Sequence, residues 1–205
     1  MTNHHEDRPA GAAWKPRIRP VKFVVAGGFG AGKTTFVGAL SEIPPLRTEA
    51  AMTTVGARVD HRRGSEAKTT TTVAMDFGRL TVDEYLVMYL FGTPGQERFG
   101  FMWDDICTHA LGAVVLVDTD RLDQSFPAVD YFEAKDIPFV VAVNRFEGAT
   151  RHDLEAVRDA LGVSAHVPMT ECDARRTESA KQVLLLLLDE LVNAARARTA
   201  AASTV

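Results

Sequence analysis

The chain has 205 residues, of which 46% are hydrophobic and 24% charged, a composition typical of a globular domain with a substantial core. Its formal net charge of −4 argues against nucleic acid as the main partner. With two cysteines no disulfide framework is indicated, and apolar runs such as Val183 to Leu188 are too short to span a bilayer. Because no apolar stretch resembling a signal peptide occurs near the N-terminus, the sequence predicts a cytoplasmic protein.

The sequence divides into three regions: a polar N-terminal tail (1–19) predicted to be disordered, one domain (20–198) and a C-terminal tail (199–205). The N-terminal tail ends in a basic cluster that includes Lys15, Arg17 and Arg19. This cluster could contact a membrane surface or an acidic partner, although a solvated tail is the simpler interpretation.

An apolar strand that begins at Val21 leads into the pattern G-x-x-x-x-G-K-T, and a helix is predicted to follow from Lys33 to Ser41. In this context the pattern is typical of a phosphate-binding loop (P-loop). Its backbone N–H groups and the helix N-terminus face the phosphate oxygens. Lys33 can reach the β- and γ-phosphates, and the Thr34 hydroxyl can ligate Mg²⁺. The predicted nucleoside triphosphate site comprises Gly27, Gly28, Phe29, Gly30, Ala31, Gly32, Lys33, Thr34 and Thr35.

From about residue 42 to residue 72 the chain is polar and threonine-rich, which predicts a functional loop with a short extended piece at Val55–Val59. Strands are predicted at Val73–Phe77 and Tyr85–Phe91, joined by a turn near 78–81. A second turn-rich loop follows at 92–99.

The second half alternates between apolar runs and helical patterns. Strands are predicted at Ala113–Val117, Phe139–Val143 and near His166–Met169, and helices at 123–134, 151–161 and Thr177–Ala197. Continuously apolar strands separated by helices predict an α/β, P-loop NTPase fold with a doubly wound, mostly parallel sheet and helices on both faces. Ligands of such sheets bind at the carboxyl ends of the strands, where all the loops of interest fall.

Four motifs in chain order resemble the Ras-like small GTPase superfamily over roughly residues 21–197. The first is the P-loop itself. Thr93-Pro94-Gly95-Gln96-Glu97 is similar to the second switch, which implies that Gly95 senses the γ-phosphate and that Gln96 positions the attacking water. By this resemblance, Gln96 and Lys33 are the catalytic candidates.

The two remaining motifs imply a guanine site for GTP and GDP. Asn144-Arg145-Phe146-Glu147 stands where the family has Asn-Lys-x-Asp, and Glu171-Cys172-Asp173-Ala174-Arg175 where it has Glu-Thr-Ser-Ala-Lys. Asn144 and Glu147 would read the base edge, the Arg145 guanidinium would cover the base face, and the Ala174 N–H would contact the guanine carbonyl. Asp173 replaces a family serine and Arg175 a lysine. Glu147 is one methylene longer than aspartate, so adenine or relaxed selectivity stays open.

Departures from the family pattern indicate a particular branch. The aspartate that normally precedes Thr93 is Gly92 here, and Asp76 on the preceding strand is the candidate replacement near Mg²⁺, the alternative being an ordinary aspartate at a strand end. These features resemble bacterial MglA-type GTPases, and more closely the CvnD-like ATP/GTP-binding proteins of conservon operons. That resemblance implies a signalling switch with a Roadblock/LC7-type partner and a sensor kinase-like component.

Hydrolysis depends on further residues of the loops. Thr72, with Thr71 next, is the expected Mg²⁺-ligating threonine of the long loop, and arginines in that loop could meet transition-state charge: Arg58, Arg62 and Arg63. Phe29 stands where fast-switching relatives have glycine, which predicts slow intrinsic turnover. A nucleotide-binding pseudo-GTPase and an ATP-binding P-loop protein stay open as alternatives.

Overall fold

A computed structural model of the chain describes residues 18–44, 46–53, 70–95 and 97–202. The strands are β1 (Arg19–Gly27), β2 (Leu46–Thr53), β3 (Thr70–Thr81), β4 (Leu86–Gly92), β5 (Gly112–Val117), β6 (Phe139–Asn144) and β7 (Met169–Cys172). The helices are α1 (Lys33–Leu40), α2 (Trp103–Cys107), α3 (Phe126–Ala134), α4 (Leu154–Leu161) and α5 (Thr177–Ala202), with 3₁₀ segments at Glu97–Met102 and Thr119–Ser125.

The described strands form one seven-stranded sheet in the order β2-β3-β4-β1-β5-β6-β7. The pairs β2–β3 and β3–β4 are antiparallel, and every pair from β4–β1 to β6–β7 is parallel. The parallel strands therefore end at one edge, where the loops that follow β1, β5, β6 and β7 meet. The predicted α/β class with a doubly wound, mostly parallel sheet is confirmed.

Helices cover both faces of the sheet because the buried stretches of the central strands, residues 23–27, 112–117 and 139–143, carry no polar side chain. Along β1, Phe23 and Val25 belong to one buried cluster with α1 and α5, while Val24 and Ala26 belong to the other with α2, α3 and α4. Phe36 and Phe132, each 0% exposed, lie in the two clusters on opposite sides. A strand with side chains buried on both faces reads as a continuous apolar run, which is why periodicity identified β1, β5 and β6.

The long loop predicted between 42 and 72 is the largest error in the sequence-based outline. Residues 46–53 form β2, which pairs along its whole length with the first half of β3, from Leu46 opposite Phe77 to Thr53 opposite Thr70. Backbone hydrogen bonds to a neighbouring strand hold such an edge hairpin, so the segment needs no apolar alternation of its own. The predicted extended piece at Val55–Val59 lies outside the described residues.

The turn predicted near 78–81 is also wrong, because β3 continues through Gly78 to Thr81. A Cβ at Gly78 would lie 2.7 Å from Cγ1 of Val37, so this glycine allows α1 to pack closely on β3. The turn lies instead at residues 82–85, where the Asp83 carboxylate accepts the N–H groups of Tyr85 and Leu86 at 2.7 and 2.8 Å.

Smaller differences concern element ends. β7 begins at Met169, and α4 begins at Leu154 behind Asp153, whose carboxylate accepts the Glu155 N–H. Helix α5 runs to Ala202, beyond its predicted end at Ala197 and into the predicted tail 199–205, because the last residues are rich in the strong helix former alanine. No helix in the described part of the chain is long and apolar enough to cross a membrane.

Candidate functional site

The loop between β1 and α1 has the backbone of a phosphate cradle. Gly27, Gly30 and Gly32 all have positive φ (134°, 78° and 103°), a conformation that side chains with a Cβ rarely adopt. Gly32 is the residue before the first turn of α1, so the free N–H groups of the helix begin directly at the loop. The predicted P-loop therefore has the backbone turn that phosphate binding requires.

Lys33 lies inside this loop and is only 8% exposed. Its ammonium donates to the carbonyl oxygens of Gly27 at 2.9 Å and Gly28 at 2.6 Å. Burial lowers the pKa of Lys33 to about 8, and the Asp76 carboxylate partly opposes that shift. An amine held among carbonyls, with its charge poorly solvated, gains most from an anion placed beside it.

The second-switch loop contacts the P-loop directly. A Cβ at Gly95 would lie 2.6 Å from Nζ of Lys33 and 2.9 Å from the backbone N of Phe29, so only glycine fits there. The Phe29 side chain itself is 61% exposed, which leaves its ring at the surface of the loop. Gln96, the predicted water-positioning residue, lies outside the described residues, as do Arg58, Arg62 and Arg63.

Asp76 and Gly92 face each other across the antiparallel ladder of β3 and β4. The Thr34 hydroxyl donates a 2.6 Å hydrogen bond to Oδ2 of Asp76. A hydroxyl has one proton and two lone pairs, so Thr34 can keep this bond and still offer oxygen to a metal. The donor set fits Mg²⁺, which takes one or two protein oxygens and completes its shell with water and phosphate. Among the described residues no cluster of three or more His, Cys, Asp or Glu side chains offers a rival site.

The expected Mg²⁺-ligating threonine of the long loop, Thr72, lies on β3 opposite Ala51, four residues before Asp76. Its role as a metal ligand stays a prediction.

Asn144, at the end of β6, joins two loops of the site. Its amide nitrogen donates to the Ala31 carbonyl of the P-loop at 3.0 Å, and its amide oxygen accepts the Ala174 N–H at 3.0 Å. Both Asn144 and Ala174 are buried. The Ala174 N–H, predicted to contact a guanine carbonyl, is used here to hold Asn144.

The remaining base-reading candidates form two groups of ion pairs. The Arg145 guanidinium pairs with the Glu171 carboxylate and donates to the His152 carbonyl, and its role in covering a base stays a prediction. Arg175 binds Asp173 at 2.9 Å and approaches Glu147 to 3.9 Å. These groups bring the loops after β6 and β7 together, with the Glu147 side chain 93% exposed.

The sequence reasoning missed the 3₁₀ segment Thr119–Ser125, which follows β5. A Cβ at Gly28 would lie 2.6 Å from Cβ of Gln124, and one at Gly30 would lie 2.8 Å from Nη2 of Arg121. The signal was present, because Asp118-Thr119-Asp120-Arg121 follows an apolar strand at the edge where ligands bind.

An apolar cleft of about 420 Å³ opens between the second-switch loop and α3, lined by Pro94, Gly95, Trp103, Gln124 and Tyr131 among others. In the segment that follows the second-switch loop, Trp103 is buried and Met102 half-buried, whereas Phe101 is 62% exposed.

Comparisons with known proteins agree with this geometry. A family model described as "Conserved hypothetical ATP binding protein" matches residues 25–194. An uncharacterized protein of Methanocaldococcus jannaschii, MJ1339, is 30% identical over 127 residues, which cover 61% of this chain and 70% of the archaeal protein.

Two solved structures share the fold. The G domain of the T. maritima FeoB iron transporter superimposes with a TM-score of 0.58 at 16% identity, over 84% of this chain and 99% of that one. The small GTPase Arl6 (BBS3) from Trypanosoma brucei, solved with the nucleotide analogue GppNp, gives 0.59 at 12% identity, over 85% and 99% of the two chains. The chain belongs to the family described as conserved hypothetical ATP binding protein, and it has the P-loop fold of small-GTPase G domains.

Proposed function

We propose that this protein is a Mg²⁺-dependent GTPase that acts as a slow signalling switch. The observation that carries the proposal is the pair of hydrogen bonds made by the Asn144 amide. One joins it to the P-loop and the other to the loop after β7, each at 3.0 Å. This brace fixes a buried amide between the phosphate cradle and the loops that carry Glu147 and Ala174. A site for a base next to a site for phosphates is what recognition of a nucleotide requires.

The roles of the residues follow from their chemistry. The P-loop backbone and Lys33 bind the phosphates, and Thr34 with Asp76 would hold Mg²⁺. When bound, the metal neutralises phosphate charge and polarises the reacting phosphoryl group. Gln96 is the proposed residue that orients the attacking water, and Gly95, packed against Lys33, is the proposed γ-phosphate sensor.

A second candidate is ATP binding, which the description of the matching family favours. Glu147 offers two acceptor oxygens, as aspartate does, but it is one methylene longer and is fully solvated apart from its contact with Arg175. A missing pair of base hydrogen bonds would cost about 1–3 kcal/mol, or roughly a tenfold to hundredfold loss of guanine selectivity.

Equilibrium binding decides between the two nucleotides. Labelled GDP and GTP are titrated with and without Mg²⁺, with ATP as competitor, and Lys33→Ala serves as the variant that lacks the phosphate ligand. Tight guanine binding that a hundredfold excess of ATP does not displace supports the proposal. Displacement by ATP at equal concentration contradicts it and assigns the site to adenine nucleotides.

We further propose an MglA-type or CvnD-like role with a Roadblock/LC7-type protein and a sensor kinase-like component as partners. The exposed rings of Phe29 and Phe101, which belong to the P-loop and the segment after the second switch, support a partner surface near the nucleotide. Single-turnover GTP hydrolysis with and without such a partner tests it. Hydrolysis that stays negligible in both cases favours the pseudo-GTPase alternative. A cytoplasmic location stays a prediction from the sequence.

A further inference from the structure

The 3₁₀ segment Thr119–Ser125 places an arginine against the backbone of the P-loop. A Cβ at Gly30 would lie 2.8 Å from Nη2 and 3.2 Å from Nη1 of Arg121, so the guanidinium lies where a side chain at position 30 would project. Gly30 has φ 78°, a left-handed conformation at the centre of the phosphate cradle. A permanent positive charge therefore stands beside the loop that binds phosphate.

The position of Arg121 is fixed by Asp118, the residue directly after β5. The Asp118 carboxylate accepts from Nε at 3.0 Å and from Nη2 at 2.7 Å of Arg121, and it also accepts the Asp120 N–H at 3.1 Å. Arg121 departs from helical geometry (φ −139°, ψ 51°) inside this segment. One edge of the guanidinium is thus held by a carboxylate that is only 10% exposed.

The other edge of the guanidinium, at Nη1, keeps N–H donors for a further acceptor. Within the described part of the chain, the hydrogen bonds of Arg121 run from Nε and Nη2 to Asp118, and none runs from Nη1. The arginine side chain is a permanent cation with its donors in a planar fork. Oxygens of a phosphate group are the acceptors that a guanidinium fork suits best.

Building on the proposed function, we propose that Arg121 is a nucleotide-binding residue, whose guanidinium, oriented by Asp118, donates to a phosphate oxygen from the Gly30 side of the P-loop. This deepens the proposed function by adding a cation supplied in cis by the segment after β5. Lys33 and Arg121 would contact the phosphates from inside the loop and from its rim.

The first test compares Arg121→Ala with a matched control. Arg79 is 41% exposed and ion-paired with Glu42, as Arg121 is 41% exposed and ion-paired with Asp118, but Arg79 lies on β3 away from the P-loop. Loss of a charge-assisted hydrogen bond should weaken GDP and GTP binding by about 10-fold or more in Arg121→Ala and by less than about 2-fold in Arg79→Ala. The salt dependence of binding should also become shallower in Arg121→Ala alone, because one cation no longer meets the phosphates.

Asp118→Asn separates a direct contact from a purely structural brace. Asparagine keeps an oxygen for the Asp120 N–H but turns an amide donor toward Nε and Nη2 of Arg121, so the guanidinium keeps its charge and loses its orienting carboxylate. A direct role predicts that Asp118→Asn weakens GDP binding less than Arg121→Ala and keeps the salt dependence of the unaltered protein, because the cation is still present. Equal weakening in both variants, with unchanged salt dependence, would overturn the inference in favour of a brace.

The outcomes also distinguish this inference from the proposed function. If the unaltered protein binds GDP and Arg121→Ala binds it equally well, the role of Arg121 is refuted while the function stands. If the unaltered protein binds neither guanine nor adenine nucleotides, both proposals fail. Thermal unfolding of each variant without nucleotide identifies any loss that comes from misfolding.

Discussion

Removing the charge of Asp76 should weaken the dependence of nucleotide binding on Mg²⁺. The Thr34 hydroxyl contacts Oδ2 of Asp76 at 2.6 Å. An ion bound to that hydroxyl at about 2.1 Å would lie within about 5 Å of the carboxylate. With the dielectric constant of water, about 80, the attraction between charges of +2 and −1 at this distance is about 1.7 kcal/mol, or roughly 15-fold in affinity. Partial burial of the pair makes this value a lower limit.

The assay measures the affinity for GTP at increasing Mg²⁺ concentrations, and the Mg²⁺ concentration at half-maximal effect gives the apparent Mg²⁺ affinity. Asp76→Asn keeps the size of the side chain and an acceptor for Thr34 but removes the charge, so the apparent Mg²⁺ affinity should fall by about 15-fold or more. Asp159→Asn, an exposed position on α4, serves as the charge-matched control. Unchanged Mg²⁺ dependence in Asp76→Asn would refute the reasoning.

Moving the carboxylate from position 76 on β3 to position 92 on β4 tests whether lost Mg²⁺ affinity can be restored. A Cβ at Gly92 would lie 3.0 Å from Cβ of Asp76, so an aspartate at position 92 is crowded as long as Asp76 is present. The double variant Asp76→Gly, Gly92→Asp removes that contact and should recover part of the lost Mg²⁺ affinity. Gly92→Asp alone should not raise the Mg²⁺ affinity above that of the unaltered protein, and it should lower the free energy of unfolding because of this contact.

Other outcomes follow from single contacts. The pKa of Lys33 is lowered from 10.5 to about 8. Between pH 8 and pH 10.5 the unfolded chain therefore binds more protons than the folded protein, so the free energy of unfolding of the nucleotide-free protein should rise with pH. Nucleotide binding should accordingly take up a proton near pH 9, which calorimetry in buffers of different ionisation enthalpy measures and Lys33→Met should abolish. Gly78→Ala should cost about 1–3 kcal/mol in urea unfolding because its Cβ would meet Val37, and Val37→Ala in the same chain should relieve part of that cost. The Thr93 hydroxyl is buried with no hydrogen-bond partner among the described residues, so Thr93→Val should raise the free energy of unfolding by about 1 kcal/mol; a loss of stability would instead reveal a bound water or ligand at that oxygen.

Elements with strong local signals could be predicted from the sequence. β1, β5 and β6 are apolar at every inward position on both faces, and α1 follows a glycine motif with known geometry. Asp76 stays the predicted replacement for the family aspartate missing at Gly92, and the two residues lie opposite each other on β3 and β4. Elements can be predicted from the sequence where a local pattern has a single physical explanation.

The errors arose where tertiary contacts decide the structure. β2 is held by its pairing with β3. Gly78 allows a helix to pack closely on the sheet, but in a single sequence such a glycine resembles a turn signal. The pairing of Arg145 with Glu171 was not predicted, because it depends on two loops that meet only in the fold. The apolar strand β5 placed Arg121 at the ligand-binding edge, but its proximity to Gly30 of the P-loop is a tertiary contact and was overlooked.

The bonds made by Asn144 have a consequence for the order of events during synthesis. The bond to Ala31 joins positions 113 residues apart, and the bond to Ala174 joins positions 30 apart. A nascent chain that ends before β6 therefore contains the whole glycine motif without the amide that holds it. Because Asn144 must be synthesised and leave the exit tunnel before it can make either bond, and because closing so long a loop costs entropy, the cradle should become competent for its ligand only when most of the polypeptide has left the ribosome. Ligand capture would then report that the domain is complete.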